Sequence, residues 1–159
     1  MRSRKLKPNK IKIAVGSDHG GFDLKKDIVN FLKAWHYKVK DFGTKSAERC
    51  DYPSIGYKVA LGVAAGKFER GILICKSGIG MCIVANKVHG IRAALLSNTE
   101  SARLSREHND ANVAIFSGKS MTIGKAKKIL DAWLSTPFEG GRHLKRVKQI
   151  REIEKKIRG

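Results

Sequence analysis

The sequence predicts an open α/β sheet of five parallel strands, with helices on both faces and an additional helix at the C-terminus. Two observations lead to this prediction. Short strand-like apolar runs alternate along the chain with longer segments in which apolar residues recur at helical spacing. One of these runs, residues 71–75, lacks any polar residue, which is typical of a central parallel strand buried on both faces.

The strands are predicted where apolar runs are bounded by polar or glycine-containing turns. In chain order they lie at residues 11–15, 37–42, 71–75, 91–96 and 113–116. Right-handed crossovers join strands of this kind, and the ligand crevice lies beyond their carboxyl ends. We therefore expect residues 17–21, residues 75–80 and the residues near Ser117 to lie together.

The helices are predicted from apolar side chains that recur every three or four residues. They lie at residues 24–35, 55–63, 80–88, 99–108 and 123–134. After Gly140 and Gly141, a last basic helix runs to the end of the chain, and its apolar stripe includes Val147, Ile150 and Ile157. Each crossover thus contains one helix, as an α/β sheet requires.

The positive charge lies mostly at the two ends of the 159-residue chain. The formal net charge is +19, but residues 13–141 account for only +7 of it. Residues 1–12 carry six bases and no acid, and residues 142–159 carry eight bases and two acids. We predict a basic N-terminal extension at residues 1–10 and a single domain at residues 11–159, which includes the C-terminal basic helix.

Composition excludes several classes of protein. No apolar run approaches the roughly 20 residues that span a bilayer, and the N-terminus lacks the apolar segment of a secretory signal. A basic chain suggests nucleic acid, yet no aromatic residue is interleaved with the basic runs, so we expect a solvated surface and no nucleic-acid partner. The three cysteines form no secreted-type framework, and we expect a cytoplasmic location.

The most informative segment is the glycine-rich turn at residues 75–80, because it leads from a strand into a helix. Backbone N–H groups at such a turn form an anion cradle. The turn matches neither a dinucleotide-binding fingerprint, because Ile83 occupies the third glycine position, nor a cysteine phosphatase loop, because Met81 stands in place of arginine. Cys75 faces this cradle, and thiols near helix N-termini ionise readily. A purely structural, buried Cys75 is the alternative.

Other polar residues point to a phosphorylated ligand. Arg142 and Arg146 are four residues apart, share one helix face and suit bidentate binding of phosphate, although a solvated basic face is the alternative. The pairs 18–19 and 108–109 each place a histidine beside a carboxylate or amide, and we expect the two pairs to converge on one rim of the sheet.

Taken together, the motifs resemble the type B ribose-5-phosphate isomerases, a family that includes galactose-6-phosphate and allose-6-phosphate isomerases. The resemblance covers residues 11–154. The motifs, in order, are Gly16–Gly21, Asp51–Pro53, Gly71–Cys75, Ser77–Gly80, Ala85–Lys87, Gly90–Ala93, Ser105–Asn112 and Glu139–His143.

The resemblance implies a Rossmann-like fold and an aldose–ketose isomerase that uses no cofactor and no metal. It implies a homodimer, with a tetramer as the alternative, in which His108 and Asn109 complete the site of the other subunit. The catalytic residues it implies are Cys75 as the base, His108 as the ring-opening acid, Asp18 and Ser77. The substrate-binding residues it implies are His19, Tyr52, Lys76, Gly78, Ile79, Gly80, Asn109, Lys119, Arg142 and Arg146.

Three residues depart from the pattern of the family. Lys76 and Ser77 replace the usual glycine and threonine, and Lys119 replaces an arginine. Ser77 keeps the hydroxyl, whereas Lys119 keeps the charge but loses the planar fork of donors. The expected reaction interconverts ribose 5-phosphate and ribulose 5-phosphate in the pentose phosphate pathway. A six-carbon sugar phosphate remains the alternative substrate, and a nucleic-acid-binding module or a sugar-binding regulator remain more distant alternatives.

Overall fold

The computed structural model of the protein describes residues 10–158. The predicted N-terminal extension therefore lies, except for Lys10, outside the described residues. The described part of the chain contains five strands, β1 (Lys12–Ser17), β2 (Lys38–Asp41), β3 (Arg70–Cys75), β4 (Ala93–Leu95) and β5 (Val113–Ser117). The helices are α1 (Phe22–Ala34), α2 (Tyr52–Ala64), α3 (Ile79–Asn86), α4 (Thr99–Asn109), α5 (Ile123–Ser135) and α6 (Gly141–Arg158), and a short 3₁₀ turn at His19–Gly21 precedes α1.

All strand pairs are parallel, and their order across the sheet is β2-β1-β3-β5-β4. The chain moves outward from β1 to β2 and then returns to the other side of β1, so the order reverses between β1 and β3. A reversal of this kind opens a crevice at the carboxyl ends of the strands. The fold class predicted from the sequence is confirmed.

Two apolar clusters cover the two faces of the sheet, because successive side chains of a strand point to opposite faces. Ile72 and Ile74 of β3 join the cluster beneath α1 and α5. Leu73 and Cys75 join the cluster beneath α2 and α3. The predicted helices are therefore on both faces, and the Cys75 side chain lies on the α2–α3 side.

Most differences from the prediction concern where elements end. The fourth strand contains only three residues, and the Arg92 N–H that precedes it donates to the side-chain Oδ1 of Asn112 at 2.8 Å. Helix α2 begins at Tyr52, before the predicted start, because Pro53 occupies the first turn, where its missing N–H costs nothing.

Helix α6 is attached to the domain by only part of its surface. Val147 of its predicted apolar stripe is buried, whereas Ile150, Ile153 and Ile157 are exposed, Ile157 to 80%. Among residues 10–158, no helix is both long and apolar enough to cross a membrane.

Candidate active site

The turns that follow β1, β3 and β5 are in direct contact, as the sequence predicts. Glycines allow this approach. A Cβ atom on Gly20 would lie 2.9 Å from Cβ of Lys76, and one on Gly118 would collide with the carbonyl oxygen of Gly20. The Gly118 N–H also donates to the carbonyl of Cys75 at 2.8 Å. The three predicted segments thus form one surface at the carboxyl edge of the sheet.

Asp18, Cys75 and Ser117 lie at the same level of three adjacent strands. Cys75 is in register with Ser117, and the Asp18 N–H continues the β1–β3 ladder by donating to Ile74 at 3.3 Å. Adjacent strands are about 4.8 Å apart, so the Asp18 and Cys75 backbones are close neighbours. Cys75 is only 4% exposed, which places its thiol at the floor of the site.

The glycine-rich turn has the geometry expected of an anion cradle. Gly78 has a φ of 82°, in the left-handed region, and precedes the first residue of α3. The first N–H groups of a helix have no acceptor within the helix. Ser77 already satisfies one of them, because its Oγ accepts from the Ile79 N–H at 3.3 Å. A Cβ on Gly80 would lie 2.5 Å from the ring of Tyr52, so Tyr52 closes one side of the turn.

Two buried polar groups at the end of β1 have no protein partner among the described residues. The Oγ of Ser17 and the Oδ1 of Asp18 are both buried and accept no hydrogen bond from residues 10–158. Burying an unpaired polar group costs free energy, and such groups in native sites are commonly satisfied by a ligand or by water. Asp18 thus offers an acceptor to a ligand hydroxyl next to the thiol.

His19 is held at the rim by a contact that the sequence does not reveal. Its Nδ1 lies 3.2 Å from both the backbone nitrogen and the carbonyl oxygen of Cys50. The loop before α2 therefore orients the imidazole, which is half-buried. Cys50 contributes backbone atoms here, a role that no side-chain motif could indicate.

The prediction that the two histidine pairs converge on one rim is wrong within a single chain. His108 and Asn109 end α4, and the Asn109 carbonyl accepts from Nε of Arg92, the residue before β4, at 2.9 Å. His108 and Asn109 lie at the amino edge of the sheet, because a helix that connects two parallel strands runs antiparallel to the strands. The four residue steps from Gly71 to Cys75 separate the two edges by about 13 Å.

A charged network fixes the turn that follows Asn109. Asp110 has a φ of 48° and receives Nη1 of Arg106 at 2.9 Å and Nη2 of Arg92 at 3.1 Å. Arg106 is 3% exposed and also donates to the Ala111 carbonyl at 2.6 Å. Burial is the main cause that lowers the pKa of Arg106, and the charge of Asp110 opposes it. Sequence reasoning missed this network, since its residues lie in a polar segment.

His108 packs against the start of α6. Its ring stacks on that of His143, with centroids 4.1 Å apart and planes at 9°. His143 is buried, and burial followed by the charge of His108 lowers its pKa. Arg142 and Arg146 are exposed on α6 beside this stack, so they too lie at the amino edge. Four predicted site residues, His108, Asn109, Arg142 and Arg146, therefore form a second group, separate from the cradle.

A family model described as Ribose/Galactose Isomerase matches residues 13–150 of the chain. The chain belongs to the ribose/galactose isomerase family. It is 50% identical over 145 residues to ribose-5-phosphate isomerase B of Escherichia coli (strain K12), a match that covers 91% of this chain and 97% of the relative. The family resemblance predicted from the motifs is confirmed.

Solved structures of family members share the fold over nearly the whole chain. Ribose-5-phosphate isomerase B of Clostridium thermocellum is 52% identical, with a TM-score of 0.91, and the match covers 92% of this chain and 99% of that one. A second, from Mycoplasma genitalium with bound ribulose-5-phosphate, is 40% identical, with a TM-score of 0.88 and coverage of 92% and 97%.

The three departures that the sequence identifies lie beside the cradle of this family member. Lys76 and Lys119 are exposed, and the Lys119 N–H donates to the Lys76 carbonyl at 3.1 Å. With Ser77 and Lys125 they border an open depression of about 550 Å³ between the ends of β4 and β5. The lysines therefore give this side of the site a positive charge.

Proposed function

We propose that the protein interconverts D-ribose 5-phosphate and D-ribulose 5-phosphate through an enediolate. The observation that carries this proposal is the buried Cys75 thiol next to Asp18, whose buried Oδ1 has no hydrogen-bond partner within residues 10–158, in front of a backbone N–H cradle. The similarity to ribose-5-phosphate isomerase B of Escherichia coli supports this substrate, and the related structure with bound ribulose-5-phosphate supports it further.

The chemistry requires a base that moves one proton between adjacent carbons. The Cys75 thiolate removes the proton from C2, and the electron pair passes through C1 to make O1 an oxyanion. Cys75 then returns the proton to C1, while the O2 hydroxyl loses its proton to O1 and O2 becomes the ketone oxygen. The N–H groups at residues 77–80 stabilise the oxyanion, an effect worth about 3–4 kcal/mol for a preorganised donor. Asp18 accepts a hydrogen bond from a sugar hydroxyl.

The substrate also needs ring opening and a phosphate site, and these roles fall to the second group of residues. His108 would donate a proton to the ring oxygen, with Asn109 holding the sugar. Arg142 and Arg146 would bind the phosphate together with His19 and Lys119 of the cradle side. Because the two groups lie at opposite edges of the sheet, and these edges are about 13 Å apart, a complete site needs two chains.

We therefore infer a homodimer in which His108 of the partner subunit reaches the cradle. Ile79 and Ile83 are each 56% exposed, four residues apart on α3, beside the cradle. Ile153 and Ile157 are exposed on α6. Apolar surfaces of this kind mark subunit contacts. A symmetric dimer would bury the exposed isoleucines of α3 and those of α6 on each chain. A tetramer would need an additional surface of the same kind.

A coupled isomerase assay of the purified protein tests the activity. We expect turnover of ribose 5-phosphate, with allose 6-phosphate and galactose 6-phosphate as comparison substrates. Cys75→Ala should reduce kcat by at least about a thousandfold, because the base is lost, whereas Cys82→Ala should leave kcat near the wild-type value. Near wild-type turnover by Cys75→Ala would remove Cys75 from the role of base.

The same preparation separates the remaining alternatives. Faster turnover of a six-carbon substrate would reassign the substrate within the same reaction class. A nucleic-acid-binding module would instead bind RNA or DNA with a steep salt dependence that survives Cys75→Ala. The free thiols of Cys50, Cys75 and Cys82 suit a reducing compartment, and we propose a cytoplasmic location on that basis.

A further inference from the structure

The second group of residues contains a set of donor atoms of which the proposed reaction uses only those of His108. Glu139, His143 and His108 place one carboxylate oxygen and two imidazole nitrogens within 4.8 Å of one another. Two histidines and one glutamate are a set of ligands that binds Zn²⁺ at open sites in proteins, where water takes the fourth position. We propose that these three side chains bind Zn²⁺ or a similar divalent transition metal, and that the bound metal inhibits the enzyme.

The distances lie near those of a zinc site. Ligand atoms at about 2.0–2.1 Å from a tetrahedral metal are about 3.4 Å apart. Nε2 of His143 lies 3.4 Å from Oε2 of Glu139, which meets this value, and Nε2 of His108 lies 4.0 Å from the same oxygen. For this pair of atoms His108 is about 0.6 Å beyond the separation of a tetrahedral site, and its ring must also turn toward the metal.

The side chains differ in their freedom to make this adjustment. His143 is 3% exposed and fixed, whereas the side chains of His108 and Glu139 are 36% and 56% exposed. The two rings are parallel, so His108 must tilt out of the stack to direct Nε2 at the metal. Arg142, which is exposed, must also release the contact of 3.3 Å between its Nε and Nε2 of His143. These rearrangements and the nearby guanidinium make the site weaker than a structural zinc site.

Inhibition follows from the identity of one ligand and rests on the proposed function. A metal-bound Nε2 has no free electron pair and carries no proton, so this nitrogen of His108 could not donate to the ring oxygen of a sugar, and the metal would hold the ring away from the position in which Nδ1 could donate instead. Metal binding itself does not depend on the proposed reaction, and the two parts can be tested separately.

The binding test uses untagged protein, Zn²⁺ alone and isothermal titration calorimetry. We expect one Zn²⁺ per chain, and Glu139→Gln should weaken its affinity by at least about tenfold. Glu152→Gln, on α6 and paired only with exposed Lys155 among the described residues, is the matched control and should bind as the wild type does. Cys75→Ala should also retain binding, which separates this site from the thiol.

The inhibition test adds Zn²⁺ to the isomerase assay. Glu139 lies 4.0 Å from Nε2 of His108, so inhibition is measured relative to the metal-free activity of each variant. On that scale Glu139→Gln should need at least about tenfold more Zn²⁺ for half-inhibition. Equal Zn²⁺ affinity in Glu139→Gln and wild type, or loss of binding in Cys75→Ala, would overturn the site. If Glu139→Gln weakened Zn²⁺ binding but Zn²⁺ did not slow turnover by the wild type, the proposed inhibition would be overturned. Absence of turnover on every sugar phosphate would refute the proposed function and leave the calorimetry as the test of the site.

Discussion

Asp110→Asn is the substitution that best tests the network behind His108. Asparagine tolerates the left-handed backbone of this position and has nearly the same shape, so the change removes the charge and little else. It would leave the guanidiniums of Arg106 and Arg92 without the carboxylate that pairs with them. Both are largely shielded from water, since the side chain of Arg106 is 4% exposed and that of Arg92 is 14% exposed.

The cost follows from the burial of the three groups. Removing one partner of a fully buried ion pair costs about 3–5 kcal/mol, whereas an exposed pair contributes about 0–1 kcal/mol. Asp110 is itself 29% exposed, which places the expected loss in unfolding free energy between these limits, at about 2–4 kcal/mol. The same release of the turn should lower kcat, because His108 is held two residues earlier, and should change KM less.

Urea denaturation followed by circular dichroism measures the loss, at one protein concentration because subunit association contributes to stability. Glu152→Gln breaks an exposed ion pair with Lys155 and should change the unfolding free energy by no more than about 0.5 kcal/mol. If Asp110→Asn lost no more than this control, the network would not stabilise the turn and the reasoning would be refuted.

Three further predictions concern the cradle, the exposed stripe and the buried histidine. Gly78→Ala should lower the unfolding free energy by about 1–3 kcal/mol and remove most of the activity, because the φ of Gly78 is 82° and a Cβ would lie 2.5 Å from Leu95. Gly124→Ala is the control and should retain stability and activity, because a Cβ there meets nothing within 4 Å. Ile83→Asp should yield monomers by light scattering, and an unchanged mass would place the subunit contact elsewhere. Burial lowers the pKa of His143, so the folded chain binds this proton less readily than the unfolded chain. The stabilising contribution of neutral His143 should be complete above about pH 6.5 and should decrease as the pH falls below this value. The urea midpoint of His143→Gln should therefore fall less steeply with decreasing pH than that of the wild type. Equal slopes for the two proteins would contradict this prediction.

The order of the strands and helices could be predicted because each has its own apolar period. The cradle could be predicted as well, since glycines at a strand-to-helix turn are a local signal. Burial of Arg106 could not, because it depends on Thr136 and Ala111, which approach only in the folded chain. The position of His108 could have been predicted correctly. The sequence indicates a helix between two parallel strands, and the direction of such a helix places its C-terminal end at the amino edge of the sheet.

The opposite positions of Cys75 and His108 have a genetic consequence. In the proposed dimer each site takes its base from one chain and its acid from the other, so a chain without Cys75 and a chain without His108 fail in different halves of the site. Mixed dimers of two such inactive chains contain one site with both defects and one site with neither. Two alleles that are each inactive should therefore complement one another when expressed in the same cell, whereas two alleles that both lack Cys75 should not.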